Sequence, residues 1–271
     1  MDILDKIVAH KKQEVADRKE RFPVKLLEDS IYFKTPTVSL SKYLQREDKQ
    51  GIIAEFKRKS PSKGAINLYA KVEEVSIGYM QAGASALSIL TDEHFFGGKN
   101  ADLTEARKFN YCPILRKDFI IDEYQIVEAR SIGADAILLI AACLEKDELH
   151  RLATFARSLG LEVLVELHGP QELDKLSPSA SIVGVNNRNL QTFEVSISHS
   201  IELFPMLPTE MVKISESGLN DAQAIVELRR AGFQGFLIGE HFMRDENPGQ
   251  HCREFIQRIQ RLEALLDGAI A

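Results

Sequence analysis

The stretch from Ile52 to Gly64, IIAEFKRKSPSKG, decides the fold that the sequence predicts. Its apolar opening is typical of a strand that is buried on both faces. Side chains alternate across a strand, so Ile53, Glu55 and Lys57 share one face, and the charges come where the apolar run ends. The loop that follows, SPSKG, offers hydroxyls, a cation and a flexible glycine, which suits a phosphate group. Charged residues at the C-terminal end of a strand, before a polar loop, are typical of an active site on an α/β fold.

The same pattern recurs along the chain after this strand. Short apolar runs predict eight strands, which begin near residues 52, 86, 113, 136, 163, 182, 211 and 235. A helical segment is predicted after each strand, and the one after the fifth strand runs from Gln171 to Leu176. Eight alternating units predict a closed (β/α)8 barrel, the TIM barrel. The rival fold is an open doubly wound sheet, which would require a GxGxxG turn that the sequence lacks.

Residues 1–50 precede the first strand and predict an N-terminal helical extension. The segment from Ile3 to Phe22 mixes apolar and charged residues, which is typical of an amphipathic helix. Further helix and loop are predicted from Leu26 to Leu44, interrupted by Pro36. We expect residues 1–271 to form one domain, because α/β barrels routinely reach this size.

The composition argues against several classes of function. The formal charge is −6, so we expect no nucleic-acid-binding face. The three cysteines, Cys112, Cys143 and Cys252, are widely spaced and form no CxxC pair, which fits a reducing cytosol without a zinc or disulfide framework. No apolar run reaches membrane-spanning length, and the N-terminus opens an amphipathic helix rather than a signal peptide. We therefore expect a cytoplasmic protein that binds neither nucleic acid nor a membrane.

Polar and charged side chains follow the predicted strands at the end where a barrel holds its catalytic residues. They include Glu55 and Lys57 after the first strand, Asp92 after the second, Lys117 after the third, Glu166 and His168 after the fifth, Asn186 and Arg188 after the sixth, Glu216 and Ser217 after the seventh, and Glu240 after the eighth. Lysines and carboxylates that share one mouth require mutual pairing, and such pairing tunes pKa values for acid–base catalysis. The plainer alternative is that each charge pairs locally at the barrel rim.

The loops after the seventh and eighth strands predict a phosphate site at Ser217-Gly218 and Gly239-Glu240. Backbone N–H groups and a short helix N-terminus commonly bind phosphate at this place in the fold. No HExxH, paired-His or CxxC spacing appears, so we expect no catalytic metal. A lone residue such as His168 is more often a hydrogen-bonded structural residue than a ligand or base. Glu55 and Glu166 alone would suggest a glycosidase pair, but the lysines and the phosphate-like loops argue against that class.

Seven motifs together resemble the indole-3-glycerol phosphate synthase family. In chain order they are IAEFKRKSPSKG, LSILTDEHFFGG, PILRKDFIID, VLVELH, VGVNNRNL, ISESGL and FLIGEHFM. The resemblance runs from about Ile3 to the C-terminus, and it implies a tryptophan-biosynthesis enzyme on a (β/α)8 barrel with an N-terminal helical extension. It implies the conversion of 1-(2-carboxyphenylamino)-1-deoxyribulose 5-phosphate to indole-3-glycerol phosphate, CO2 and water, with no cofactor.

By this resemblance, Lys117 is the general acid and Glu166 is the acid–base carboxylate beside it. The remaining correspondences are Glu55 and Lys57 as a pair on the first strand, Asn186 and Ser217 as polar contacts in the pocket, Ser60, Gly218, Gly239 and Glu240 at the phosphate, Arg188 at the substrate, and Phe96 and Phe119 at the anthranilate ring. The departures from the family pattern are Phe56 and Arg58 beside Lys57, Asp92 where Glu is common, and His168-Gly169 in place of a more acidic stretch. Which residue acts at which proton transfer stays open at this point.

Two alternative functions stay open as well. Phosphoribosylanthranilate isomerase uses a similar phosphate-binding barrel, but with a Cys–Asp acid–base pair where this chain has Glu55 and Lys57. A non-catalytic phosphate-binding barrel that serves as a partner subunit would be expected to lack one of the charged site residues. We expect a monomer that associates, if at all, with other tryptophan-pathway enzymes.

Overall fold

The computed structural model describes residues 3–189 and 194–268. Eight parallel strands close into a barrel in which each strand pairs with its neighbours in sequence, and the last pairs with the first. The strands are β1 Ile52–Phe56, β2 Ala86–Leu90, β3 Ile114–Lys117, β4 Ala136–Ile140, β5 Glu162–Leu167, β6 Ile182–Asn186, β7 Val212–Glu216 and β8 Gly235–Ile238. The predicted (β/α)8 TIM-barrel fold is therefore confirmed. The loop after β1 also forms a small hairpin, in which Lys59–Ser60 pairs with Gly64–Ala65.

Helices precede the barrel and cover its outer surface. They are α1 Ile3–Arg21, α2 Val24–Glu28, α3 Leu40–Leu44, α4 Val72–Ala82, α5 Asn100–Phe109, α6 Glu123–Ile132, α7 Lys146–Ser158, α8 Ser198–Leu203, α9 Ala222–Ala231, α10 Glu240–Met243 and α11 Pro248–Gly268. Within the described ranges, no helix is both long enough and apolar enough to cross a membrane.

The helical segment after β5 is a 3₁₀ helix, Pro170–Lys175, rather than the α-helix expected from Gln171 to Leu176. Its backbone bonds span three residues, from Glu172 N to Gly169 O and from Leu176 N to Leu173 O. A segment this short does not offset the cost of nucleating an α-helix, so the tighter turn is favoured.

The N-terminal helices close the barrel at both of its ends. Leu40 and Leu44 of α3 are buried in the interior cluster, and Leu44 lies against Gly235, the first residue of β8. Ile7 of α1 is buried in the same cluster, at the opposite end, where it lines the main cavity. The extension is thus packed against the barrel at the end where the strands begin and at the end where they finish.

The side chains of the strands alternate between the outer helices and the barrel interior. The interior cluster contains Ile53, Leu115, Leu164 and Ile214. Two residues later on the same faces stand Glu55, Lys117, Glu166 and Glu216. Because alternate residues of a strand share a face, the apolar interior continues directly into charged groups at the C-terminal end.

Candidate active site

A cavity of about 630 Å³ opens at the C-terminal end of the barrel. All of the site residues selected from the sequence line it: Glu55, Lys57, Ser60, Phe96, Lys117, Phe119, Glu166, Asn186, Arg188, Ser217, Gly218, Gly239 and Glu240. The structure therefore brings together residues from seven of the eight strands or the loops that follow them. What each of them does depends on its contacts within the cavity.

Lys117, the last residue of β3, lies between two carboxylates. Its Nζ is 2.8 Å from Glu166 Oε2 and 3.1 Å from Glu216 Oε2. Burial alone would lower the pKa of Lys117, but the negative charges of these partners and of Glu55 outweigh burial and raise it above the usual value. The ammonium group is therefore charged at neutral pH and lies at the cavity wall.

Glu166 of β5 is bonded through both of its oxygens. Lys117 donates to Oε2, and Asn186 Nδ2 donates to Oε1 over 3.1 Å. Burial alone would raise the pKa of the carboxyl, but the charges of Lys117 and His168 outweigh it and lower the pKa of Glu166 to about 2. Glu166 is therefore ionised at neutral pH, as a base must be.

Glu216, the last residue of β7, has a raised pKa, in contrast to Glu166. Its Oε1 is buried and has no hydrogen-bond partner in the part of the chain that the structure describes. Burial raises its pKa to about 8, because the attraction of Lys117 does not outweigh desolvation and repulsion from Glu166. Space for the side chain comes from Gly184 of β6, where a Cβ would lie 2.2 Å from Oε1. Glu216 therefore holds a proton near neutral pH.

The sequence reasoning placed Glu216 at a strand end but gave it no role. The signal that identifies it is the alternation along β7: Ile214 points into the barrel, so the residue two positions later reaches the cavity. The same counting in β5 leads from Glu166 to His168, which also lines the cavity.

His168 faces Glu166 rather than a structural partner. Its Nε2 is 3.3 Å from Glu166 Oε1, and its side chain is only 9% exposed. The backbone is what anchors the residue: His168 N donates to Glu172 Oε2, and His168 O is 3.0 Å from His199 Nε2. These hydrogen bonds anchor the main chain of His168, while its imidazole lies beside the Glu166 carboxylate.

Glu55 and Lys57 form a second ion pair at the cavity. Lys57 Nζ is 2.8 Å from Glu55 Oε1, and Ser88 Oγ lies 3.4 Å from Glu55 Oε2. A Cβ at Gly239 would lie 2.4 Å from Glu55 Oε1. The glycine at the end of β8 therefore makes room for the Glu55 carboxylate.

One side of the cavity is apolar. The rings of Phe96 and Phe119 lie 5.9 Å apart at an interplanar angle of 35°, and Leu138, Ile140 and Ile7 complete this wall. A flat apolar wall with two aromatic rings suits an aromatic substrate group.

The opposite side is formed by backbone and hydroxyl groups. Ser217 and Gly218 both have left-handed backbone angles, φ 71° and φ 72°. Gly239 directly precedes the short helix α10, and Ser60 Oγ is buried without a hydrogen-bond partner among the described residues. The Glu240 carboxylate is paired with Arg244, so a bound anion would meet the backbone of Glu240 rather than an unpaired side-chain charge.

Among the residues that the structure describes, no group of three or more His, Cys, Asp or Glu side chains is arranged to hold a metal ion. None of the three cysteines lines the cavity. Burial raises the pKa of Cys112 and of Cys252 to about 12.

Sequence comparisons identify a family to which this chain is similar. The profile of a family described as indole-3-glycerol phosphate synthase matches residues 4–255. A relative of that name from Bacteroides thetaiotaomicron is 48% identical over 259 residues, which cover 96% of this chain and 99% of the relative. Relatives of the same name from Burkholderia ambifaria and Burkholderia cenocepacia are each 42% identical over 252 residues, which cover 92% of this chain and 97% of each relative.

Proposed function

Because this chain belongs to the indole-3-glycerol phosphate synthase family, we propose that Lys117, Glu166, Glu216 and Lys57 carry the proton transfers of that reaction. The enzyme is a carboxy-lyase of tryptophan biosynthesis, and its substrate is 1-(2-carboxyphenylamino)-1-deoxyribulose 5-phosphate. The observation that carries the proposal is a lysine at the cavity wall whose Nζ lies 2.8 Å and 3.1 Å from two buried carboxyl groups. Such a trio contains a cation, a base and a second proton donor within hydrogen-bonding distance of one another.

The first step is ring closure. The ring carbon that bears the carboxylate attacks the ketone carbon, and negative charge develops on the ketone oxygen. The Lys117 ammonium stabilises this charge and then transfers a proton to it. Its raised pKa does not prevent the transfer, because the alkoxide that forms is itself strongly basic.

The second step is decarboxylation. When the carboxyl carbon leaves as CO2, the electrons of the broken bond flow into the iminium group formed by ring closure. This step requires no cofactor, because the substrate supplies its own electron sink. The apolar wall of Phe96 and Phe119 holds the ring and keeps water from it.

The last step is loss of water. The departing hydroxyl needs a proton, and the ring carbon beside it must lose one. We assign the base to Glu166, which is ionised at neutral pH, and the proton donor to Lys57, which is held by Glu55. Glu216 supplies the proton that recharges Lys117 after ring closure.

The remaining site residues bind the substrate. The backbone of Gly218, Gly239 and Glu240, with the Ser60 hydroxyl, is proposed to hold the phosphate. The polar side chains of Asn186, Ser217 and Arg188 are proposed to contact the sugar chain between the phosphate and the ring. Binding at these two ends positions the reacting carbon atoms between them.

We further propose that residues 1–271 form one folding unit, with residues 1–50 as its extension, and that the enzyme is a cytoplasmic monomer. Salt bridges from Lys11 of α1 to Asp92 and Asp118 support the first proposal. The three cysteines form no disulfide with one another, which supports a reducing compartment. Size-exclusion chromatography of the protein alone would test the monomer. The same measurement with other enzymes of the pathway added would test association with them.

Turnover of the carboxyphenylamino substrate, followed by the absorbance of the indole product, tests the proposed function. The same protein should not turn over phosphoribosylanthranilate, because no cysteine stands among the described residues that line the cavity. Activity on the second substrate alone would favour the isomerase. Activity on neither would favour a non-catalytic barrel.

A further inference from the structure

Ser217 has an unusual backbone conformation for a residue with a side chain. Its φ is 71°, and the other described residues with positive φ are all glycines. Left-handed angles cost a non-glycine residue free energy, because Cβ crowds the carbonyl oxygen. A strained residue at a cavity wall must be held in place by its surroundings.

Asn187, the first residue after β6, is bonded to this strained turn from beneath. Its Nδ2 donates to Ser217 O over 3.2 Å and to Ser215 Oγ over 2.9 Å. Its backbone N donates to Glu216 O over 2.9 Å. One side chain and its own backbone therefore contact three consecutive residues of the end of β7.

Asn187 is itself fixed by a buried network. The residue is 3% exposed, and its Oδ1 accepts a hydrogen bond from Ser200 Oγ over 2.7 Å. Ser200 and Ser215 are fully buried, and their hydroxyl oxygens are 2.8 Å apart. The amide orientation follows from these partners, because only Nδ2 can donate to the Ser217 carbonyl.

The direction of the Ser217 carbonyl determines where the next N–H points. In a trans peptide the C=O and the following N–H point in opposite directions. Since the Ser217 carbonyl points to buried Asn187, the Gly218 N–H points away from the interior, on the side where Ser217 and Gly218 line the cavity.

We infer that Asn187 is a positioning residue, which holds the Ser217–Gly218 peptide in its left-handed turn so that the Gly218 N–H is presented to the phosphate of the substrate. This inference rests on the phosphate site proposed above. Asn187 does not line the cavity, so it acts on the substrate only through this peptide. Its neighbour Asn186, in contrast, lines the cavity directly.

The test compares phosphate binding by the full-length protein and its variants, with inorganic phosphate as the calorimetric titrant. Asn187→Ala should weaken binding about tenfold, because Ser217 can then relax out of the left-handed region. Ser200→Ala is the matched control: it removes a hydrogen bond from the same network without freeing the Ser217 carbonyl. Ser200→Ala should therefore change the phosphate Kd by less than about twofold.

The suppressor is Ser217→Gly in the Asn187→Ala background. Glycine adopts positive φ without strain, so the double variant should bind phosphate more tightly than Asn187→Ala. A purely structural role for Asn187 predicts no such recovery. Thermal melting gives the same comparison if Asn187→Ala is poorly folded: Ser217→Gly should then raise the Tm of that variant more than it raises the Tm of the wild type.

Two failures are distinguishable. If the wild type binds no phosphate, the proposed phosphate site is wrong and the inference falls with it. If the wild type binds phosphate but folded Asn187→Ala binds it equally well, the phosphate site stands and the positioning role is wrong. Equal losses in Asn187→Ala and in the double variant would also contradict the inference.

Discussion

Two lysines of this protein are each paired with two buried carboxylates, one trio at the cavity and the other in the packed interior, where Lys11 also pairs with the partly exposed Glu14. The cavity trio is Lys117, Glu166 and Glu216, and the packed trio, where α1 meets the ends of β2 and β3, is Lys11, Asp92 and Asp118. The distances are similar, 2.8 and 3.1 Å against 2.9 and 3.0 Å. In both, burial alone would lower the lysine pKa, and the neighbouring carboxylates raise it instead.

The two aspartates of the packed trio accept hydrogen bonds from the backbone of the loops after β2 and β3. Asp92 Oδ1 accepts hydrogen bonds from the backbone of Phe95 and Phe96, over 2.7 and 3.2 Å. Asp118 Oδ1 accepts one from Phe119 N over 2.8 Å. The lysine and both aspartates are essentially inaccessible to solvent. This trio fixes the two loops that carry the aromatic wall of the cavity.

The carboxyl groups of the cavity trio differ from each other in protonation. The pKa of Glu166 is lowered to about 2 while that of Glu216 is raised to about 8, and Glu216 Oε1 has no hydrogen-bond partner among the described residues. The Lys117 side chain is 16% exposed, whereas that of Lys11 is 0% exposed. A lysine with two carboxyl groups therefore serves structure when the carboxylate oxygens hold the backbone, and serves chemistry when an oxygen and a proton face a cavity.

The largest expected effect falls on the packed trio. Lys11→Met leaves buried Asp92 without its cation and leaves Asp118 paired with Arg116 alone, so the free energy of unfolding should fall by about 3–5 kcal/mol. Urea denaturation of wild type and variant measures this loss.

The matched control uses another lysine of the same helix. Lys19 pairs with Asp122 over 2.7 Å, but the two side chains are 47% and 35% exposed. Lys19→Met should therefore cost about 1 kcal/mol or less. Equal losses in the two variants would mean that burial does not distinguish the packed trio from an ordinary surface pair.

The next effect falls on the base of the cavity trio. Glu166→Gln keeps the shape of the side chain but removes its charge, and kcat should fall about a hundredfold, the usual scale for losing a general base. KM for the carboxyphenylamino substrate should change much less. Steady-state kinetics would reject the assignment if KM rose while kcat stayed at the wild-type value.

A smaller effect is expected on the pH dependence of stability, and it distinguishes Glu216 from Glu166. The pKa of Glu216 is about 8 in the folded protein and near 4.5 when unfolded, so the folded state binds the proton more tightly. The stability from this proton is complete below about pH 4.5 and is lost as the pH rises through about 8. Glu216→Gln removes this loss, so its stability relative to wild type should increase between pH 5 and about 8. Unfolding measured at several pH values would refute the prediction if the difference were constant.

We expect removal of metal ions to have no effect on turnover. Both trios stabilise their charges with protein groups, and the described residues contain no cluster arranged for a metal ion. EDTA should therefore leave turnover unchanged. An activity that disappears with EDTA and returns with a divalent ion would contradict this account of the cavity.

The sequence was sufficient for the barrel and for most of the cavity wall. The alternation of Ile53, Glu55 and Lys57 follows from strand geometry alone. Glu55 and Lys57 line the cavity as expected, and Ile53 lies in the apolar interior of the barrel. The same rule would have given Glu216 a role, had it been applied to β7.

The packed trio was beyond sequence reasoning. Lys11 looks like any charged residue of an amphipathic helix, and its aspartates lie about 80 and 110 positions away in the chain. Only the docking of α1 on the barrel brings the three together. The left-handed angle of Ser217 was equally hidden, because serine gives no signal for positive φ.

The most direct test of the division between the two trios is Lys117→Met, assayed for turnover and unfolding in parallel with Lys11→Met. The account predicts that folded Lys117→Met loses turnover about a hundredfold or more, and that folded Lys11→Met loses less turnover, because Lys11 does not line the cavity. Near wild-type turnover in folded Lys117→Met would contradict the central claim, because the cavity lysine would then have no part in the chemistry.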